Sequence, residues 1–387
     1  RRPDVKKSIA VLIITALIIS TPSCLLAESE NVLTWQKASL WLNRDSSVLK
    51  DLAEAERNSK KQYEEAKENA KTIDTRGRTV YILGQEIRIA FDDTTQMFMT
   101  QQKELFPEQM RYYWNMTQDS KRRTSNSLTI SLRNMYLGLY SAHNDVRIKE
   151  LKYEVAENLH NQNQLKLEKG MITEIEALES EYALEKARAE LAAARRNREN
   201  MLRSFNHFLC RDIHTDYDDI RLESQLYTIF RDYDYYLGRA LVNRAEIKQA
   251  EKQLALLEQK KRIMDRFPLS MNTVSVRKDY NNLLLDMEIQ EARLEQAKLD
   301  IEVEVKEAYI EAAAAVKNTE NMKKLLDLQK SNIDKIRRLY EKGLVSKTVL
   351  DQSEIGYLEF CSSYDLTLFD CNTKLMKLVY VSGIGMA

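Results

Sequence analysis

The feature that most restricts the fold is a short turn that occurs twice, Glu168-Lys169-Gly170-Met171-Ile172-Thr173 and Glu341-Lys342-Gly343-Leu344-Val345-Ser346, each set between two long stretches with few helix breakers. A glycine just beyond a charged helical run is the usual helix stop, because it reaches the left-handed conformation without steric cost. Three residues on, Thr173 and Ser346 are good N-caps, since a hydroxyl can accept from a free amide in the next first turn. Thr173 with Glu176 also makes a capping box, and Ile172 with Ala177, or Val345 with Leu350, stands at hydrophobic-staple spacing. Each turn therefore reads as the tip of a tight helical hairpin.

The flanking stretches support long helices. In 387 residues there are nine glycines and four prolines, with 30% charged side chains, a composition suited to solvated amphipathic helices rather than to a compact enzyme domain. The 59 basic and 59 acidic residues balance, so charge gives no argument for a nucleic-acid partner.

Arg1, Arg2, Lys6 and Lys7 precede an apolar run from Ile9 to Ile19, followed by small residues up to Ala27. This is the order of a secretory signal, with cleavage expected after Ala27. The run is short for a span of about 20 residues, although an uncleaved anchor is the alternative reading. Thr21-Pro22-Ser23 before Cys24 lacks the aliphatic residue of a lipoprotein signal. With Cys24 removed, Cys210, Cys361 and Cys371 have no disulfide or zinc spacing.

Along the chain, Leu33 to Leu42 reads as a short helix, and Ser46 or Ser47 can cap a longer one to Ala70. Thr72 to Arg78 breaks the pattern. Val80 to Phe91 is assigned to a helix, although its β-branched residues and the alternation from Glu86 also fit a strand. Pro107 suits a helical first turn, and a helix of about 90 Å then runs to Lys169, with Leu132, Met135, Leu139, Ala142 and Val146 on its seam. Leu184, Leu191, Met201 and Phe205 mark the returning arm. After a polar interruption at Asp212 to Asp219 the series starts again near Tyr235, with Asn243-Arg244 matching Asn43-Arg44. A helix to Arg266, a long one from Val276 to Lys342 and an arm from Ser346 to Val381 follow. An offset of 173 pairs Gly170 with Gly343, Tyr136 with Tyr309, Leu132 with Val305, Ser180 with Ser353 and Leu202 with Leu375, the signature of an internal repeat.

The entry segment at Asn43-Arg44, the tyrosines Tyr136 and Tyr309, and above all the duplicated glycine-containing tips resemble the TolC family of outer-membrane efflux proteins over nearly the whole exported chain. The expected fold is all-α: elongated antiparallel coiled-coil hairpins in two tandem repeats, TolC-like, with little or no β-barrel. The expected divisions are 1–27 for the signal peptide, 28–215 for the first repeat and 216–387 for the second. The resemblance implies a homotrimer forming a hollow helical conduit, located in the outer membrane or cell envelope. It also implies a periplasmic adaptor (membrane fusion) protein docked at the tips and an inner-membrane transporter behind it.

Carried over by residue, Gly170, Met171, Ile172 and Thr173, with Gly343, Leu344, Val345 and Ser346, would be the adaptor-docking tips. Tyr340 and Glu176 would stand at the channel entrance. The chain departs from the family pattern at the gate arginine, where it has Val345, and between Arg266 and Val276, where there is room for a turn but not for two membrane strands of about 9 to 11 residues each. The tip residues can equally be read as helix caps alone, Glu176 as the capping-box acid and Tyr340 as a seam residue. Among His143, His160, His207 and His214 no ligand or nucleophile set stands out, and no metal, cofactor or enzymatic activity is expected. The competing functional reading is an exported coiled-coil structural or adaptor protein of the envelope that has no pore.

Overall fold

The computed structural model describes residues 32–222 and 230–384; the expected signal peptide at 1–27 lies outside them. A short strand β1 (Val32–Thr34) leads into α1 (Trp35–Asp45) and α2 (Ser47–Thr72). A two-stranded hairpin follows, β2 (Gly77–Ile82) and β3 (Gln85–Ala90). Then α3 (Asp93–Thr100) passes through a π-helical turn at Gln101–Leu105 into α4 (Phe106–Glu168), with Pro107 in its first turn. The returning arm is α5 (Glu174–Phe208), and β4 (Asp219–Arg221) closes the first half.

The second half runs α6 (Tyr233–Asn243), α7 (Ala245–Asp265), a 3-10 turn at Pro268–Asn272, α8 (Val274–Glu341) and α9 (Lys347–Val381). At 1.5 Å per residue α4 and α8 are each about 100 Å long. Each packs against its returning arm, α4 on α5 and α8 on α9. The shorter α2 and α7 extend the bundle against α4 and α8, and α4 also lies on α9. The fold is thus built on long helical hairpins, as expected, with two small two-stranded sheets beside them.

Burial follows the seam. Leu132 and Val305, Leu139 and Ala312, Ala142 and Ala315, Leu202 and Leu375, and Phe205 and Leu378 are buried in both members of each pair, all at the offset of 173. The role of Tyr136 is now visible. Its single hydroxyl proton is shared between the Arg221 carbonyl oxygen at 2.7 Å and the Leu33 carbonyl oxygen at 3.1 Å, tying down the parallel pair β1–β4. Its ring stacks on Phe369 at 5.7 Å. Next to it the buried Arg133 lies 4.7 Å from the Trp35 ring and 4.2 Å from that of Phe369, and donates to Thr373 Oγ1 at 2.9 Å. In the second half Tyr309 stacks instead on Phe230 at 5.0 Å.

Two expectations need correction. Val80 to Phe91 is not a helix: Arg78 pairs with Ile89, Val80 with Ile87 and Ile82 with Gln85 across β2–β3. The two-residue turn Leu83-Gly84 has positive φ at both positions, +50° and +84°, as a hairpin turn compatible with strand twist requires. The second correction is to the register of the entry segments. The breaks between the paired entry helices fall at Ser46, which caps α2 through its side chain, and at Arg244, an offset of 198. The dipeptides Asn43-Arg44 and Asn243-Arg244 stand at 200, so their match is two residues from the structural one. The fall from 198 to 173 leaves 25 additional residues in the first half, across the segment that holds β2–β3. At the corresponding place in the second half there is only the 3-10 turn.

Candidate docking tips

Both tips are built alike by their backbones. At the first, Gly170 has φ +66°, its N–H donates to the Leu167 carbonyl at 2.8 Å, and the Met171 N–H donates to Lys166 at 2.8 Å. At the second, Gly343 has φ +71°, with Gly343 to Tyr340 at 2.8 Å and Leu344 to Leu339 at 2.9 Å. These are the two bonds of a Schellman stop, which satisfy carbonyls the helix end would leave orphaned. The chain then re-enters helix at Thr173, whose Oγ1 accepts from the Glu176 N–H at 3.3 Å, and at Ser346, whose Oγ accepts from the Val349 N–H at 3.3 Å. Ile172 and Val345 are half-buried, and Ala177 and Leu350, five residues on at staple spacing, are buried.

The tips differ in their side chains. Glu176 completes the capping box only at the first, accepting from the Thr173 backbone N–H at 2.8 Å and from its hydroxyl at 2.9 Å. Those hydrogen bonds, the backbone one foremost, hold its carboxyl below the usual range. The acid is therefore engaged by its own helix start. Tyr340 is partly exposed, with Lys347 Nζ 6.0 Å from its ring centre; Lys347 in turn pairs with Asp351 at 2.6 Å. Met171 and Leu344, at 69% and 67% exposure, face solvent at the turns.

One feature escaped the sequence reading. On α5, Ile175, Leu178 and Tyr182 continue from Met171 as a ladder, each more than 60% exposed. The equivalent second-tip positions are Leu344, Thr348, Asp351 and Ile355, where Ile355 is buried and Asp351 is in an ion pair. The four-three-four spacing of the ladder could have revealed it, had the non-matching positions of the two halves been compared.

A second stripe runs along α8, where Leu285, Leu299, Val303 and Ile310 are exposed. They lie across the helix from Ile301, Val305, Ala308, Ala312 and Ala315, which are buried. Among the described residues no cluster of three or more His, Cys, Asp or Glu is placed to hold a metal ion, and no helix is long and apolar enough to cross a membrane.

The fold has solved relatives. Over 91% of this chain and 92% of the other, it superposes on CusC, described as forming a transmembrane channel, with a TM-score of 0.61 at 13% identity. The open-state outer membrane channel MtrE of Neisseria gonorrhoeae matches with a TM-score of 0.58 at 14% identity, over 90% of this chain and 89% of that one. The Campylobacter jejuni outer membrane channel CmeC gives 0.57 at 12%, covering 92% and 86%. The chain has the TolC-type channel fold. No family model matches the sequence, and no curated protein does.

Proposed function

We propose that the chain is a TolC-like efflux or secretion conduit of the outer membrane. In this reading three copies, each a duplicated hairpin unit, close into a helical channel whose tips dock a periplasmic adaptor that links it to an inner-membrane transporter. The observation that carries the reading is α8, apolar on two opposite faces: one face is buried on its own hairpin, and the Leu285, Leu299, Val303 and Ile310 stripe has no cover among the described residues. A helix apolar on both sides belongs inside a larger assembly. The likeness to outer membrane channels supplies the kind of assembly. Gly170 to Thr173 and Gly343 to Ser346 then form the adaptor-facing tips, and Tyr340 stands near the entrance. Glu176 serves as the cap of the first tip.

The test is the oligomeric state of the purified, detergent-extracted chain by native mass spectrometry, with negative-stain imaging for a hollow tube. Trimers with a central channel are expected. A monomer at micromolar concentration overturns the conduit in favour of an envelope coiled-coil protein without a pore.

A further inference from the structure

The two hairpins carry opposite charge at their tip ends, and this asymmetry coincides with the exposed ladder. The first twelve residues of α5, 174–185, contain five glutamates and no basic residue. Glu174, Glu181 and Glu185 lie on the same side of the helix as Ile175, Leu178 and Tyr182 by their helical spacing, and all are exposed. That side is turned away from α4, since the residues α5 buries near the tip are Ala177, Ser180 and Leu184.

Near the tip of α8 the pattern is reversed. Residues 323–342 hold seven basic side chains against three acidic ones. Lys324, Lys335, Arg338 and Lys342 are exposed around Leu328, which is 66% exposed, on the continuation of the stripe from Leu299 and Ile310. This face too is turned away from its hairpin partner, because Thr319 and Ile333 are buried on the other side.

We infer that the acidic ladder of α5 in one copy packs against the basic tip-proximal face of α8 in the next copy, so that tips 1 and 2 alternate around the ring as a charge-matched seam. The inference rests on the trimeric reading and specifies its contact. Charge complementarity selects the occupant. A second copy brings a basic helix that runs antiparallel to α5 and ends at the same level, and counted from the tip turns Glu181 is level with Asp334 and Lys335. The aliphatic stems of Lys335 and Arg338 cover Leu178 and Tyr182 while their heads meet the glutamates. Two copies presenting the same hairpin to each other would oppose acid to acid or base to base, which is unfavourable. The contact is therefore heterologous, as ring closure needs.

The experiment is a charge swap in the full chain, read by native mass spectrometry and by trimer dissociation on dilution in detergent. E181K/E185K and K335E/R338E, each alone, are expected to weaken trimers at least tenfold at low ionic strength, and the four changes together to restore them. The restored quadruple variant also excludes misfolding as the cause. Trimers unaffected by either double variant overturn the seam while leaving the trimer standing. The same holds if the double variants remain trimeric and lose only crosslinking to an adaptor, in which case the ladder is an adaptor surface. An unmodified chain that is monomeric removes both the seam and the reading beneath it.

Discussion

Three glycines end helices with nearly the same backbone, and their surroundings separate two costs that are usually mixed. Gly343 has φ +71° with open space around the position of a Cβ, whereas Gly383 has φ +65° and a Cβ there would lie 2.8 Å from Asn243 Cβ and 3.2 Å from its carbonyl carbon. Alanine at Gly343 meets only the left-handed penalty of about 1 to 2 kcal/mol. About 0.4 to 1 kcal/mol of that is recovered because the unfolded chain is less flexible, leaving a net cost of about 1 kcal/mol. Alanine at Gly383 has the same term plus overpacking of about 1 to 3 kcal/mol, because the nearest atoms include backbone that cannot rotate away. The expected difference between Gly383→Ala and Gly343→Ala is thus at least about 1 kcal/mol. Urea unfolding followed by circular dichroism reports it for Gly383, which lies beside the buried Val381, and amide exchange of the turn reports it for Gly343 and Gly170. Equal costs at Gly343 and Gly383 would refute the assignment of the difference to packing against Asn243.

Cys210 stands 173 residues before Gly383 and adopts the same stop with φ +54°, bonding His207 at 3.0 Å through its N–H; Cys210→Gly should be neutral or stabilising by up to about 1 kcal/mol in the same urea experiment. Thr173→Ala should cost about 1 kcal/mol at the start of α5, seen as faster exchange of the Glu176 amide. Leu83→Asn should strengthen the β2–β3 hairpin, because asparagine tolerates φ +50° better than leucine, and exchange protection of the Val80 and Ile87 amides should rise. Asp365, which accepts from the Tyr140 hydroxyl at 2.9 Å, has its carboxyl pushed up by burial. The folded chain then holds that proton more firmly than the unfolded one, so this group's contribution is full below the usual aspartate range and is lost as pH rises through the raised value. Asp365→Asn should flatten the stability profile from about pH 4 upward and raise stability at neutral pH. A profile unchanged by the substitution would mean that the carboxyl is not the group titrating.

The long helices were legible because the chain offers few breakers, and their ends because the stop and cap residues are strong ones: Gly170, Gly343, Thr173, Ser346 and Ser46 all do locally what their chemistry favours. The β2–β3 hairpin was not, for two physical reasons. Val80, Ile82, Ile87 and Ile89 fit helical as well as alternating spacing, and the turn uses Leu83 where asparagine or aspartate would have announced it. The parallel pair β1–β4 is out of reach of local pattern, since three-residue strands nearly two hundred positions apart are held by tertiary contacts such as the Tyr136 hydroxyl. At the tips, backbone geometry could be read from the sequence, but the ladder on α5 could not be found by matching the halves, because it exists only where they differ.

Those differences fall at both ends of the molecule. At one end the first half adds β2–β3, whose strands of six residues extend about 20 Å, short of the roughly 30 Å of a hydrocarbon core. Its apolar residues Ile82, Ile87 and Ile89 are exposed, and among the described residues its edges are open. At the other end α5 is acidic where the matching part of α9 is not. In between, the positions paired at the offset of 173 are buried in both halves, though their side chains differ, Leu139 against Ala312 and Phe205 against Leu378, and being buried they do not decide which neighbour a hairpin stands beside. A closed ring of such chains needs something that rejects the wrong neighbour, and like charges set face to face supply it more sharply than a difference in packing can. On the charge-matched seam, the recurring turn is where the two halves share one backbone geometry, and the helices just behind it differ in charge. The same turns that let the hairpins form thus lie next to the residues that decide how they are ordered.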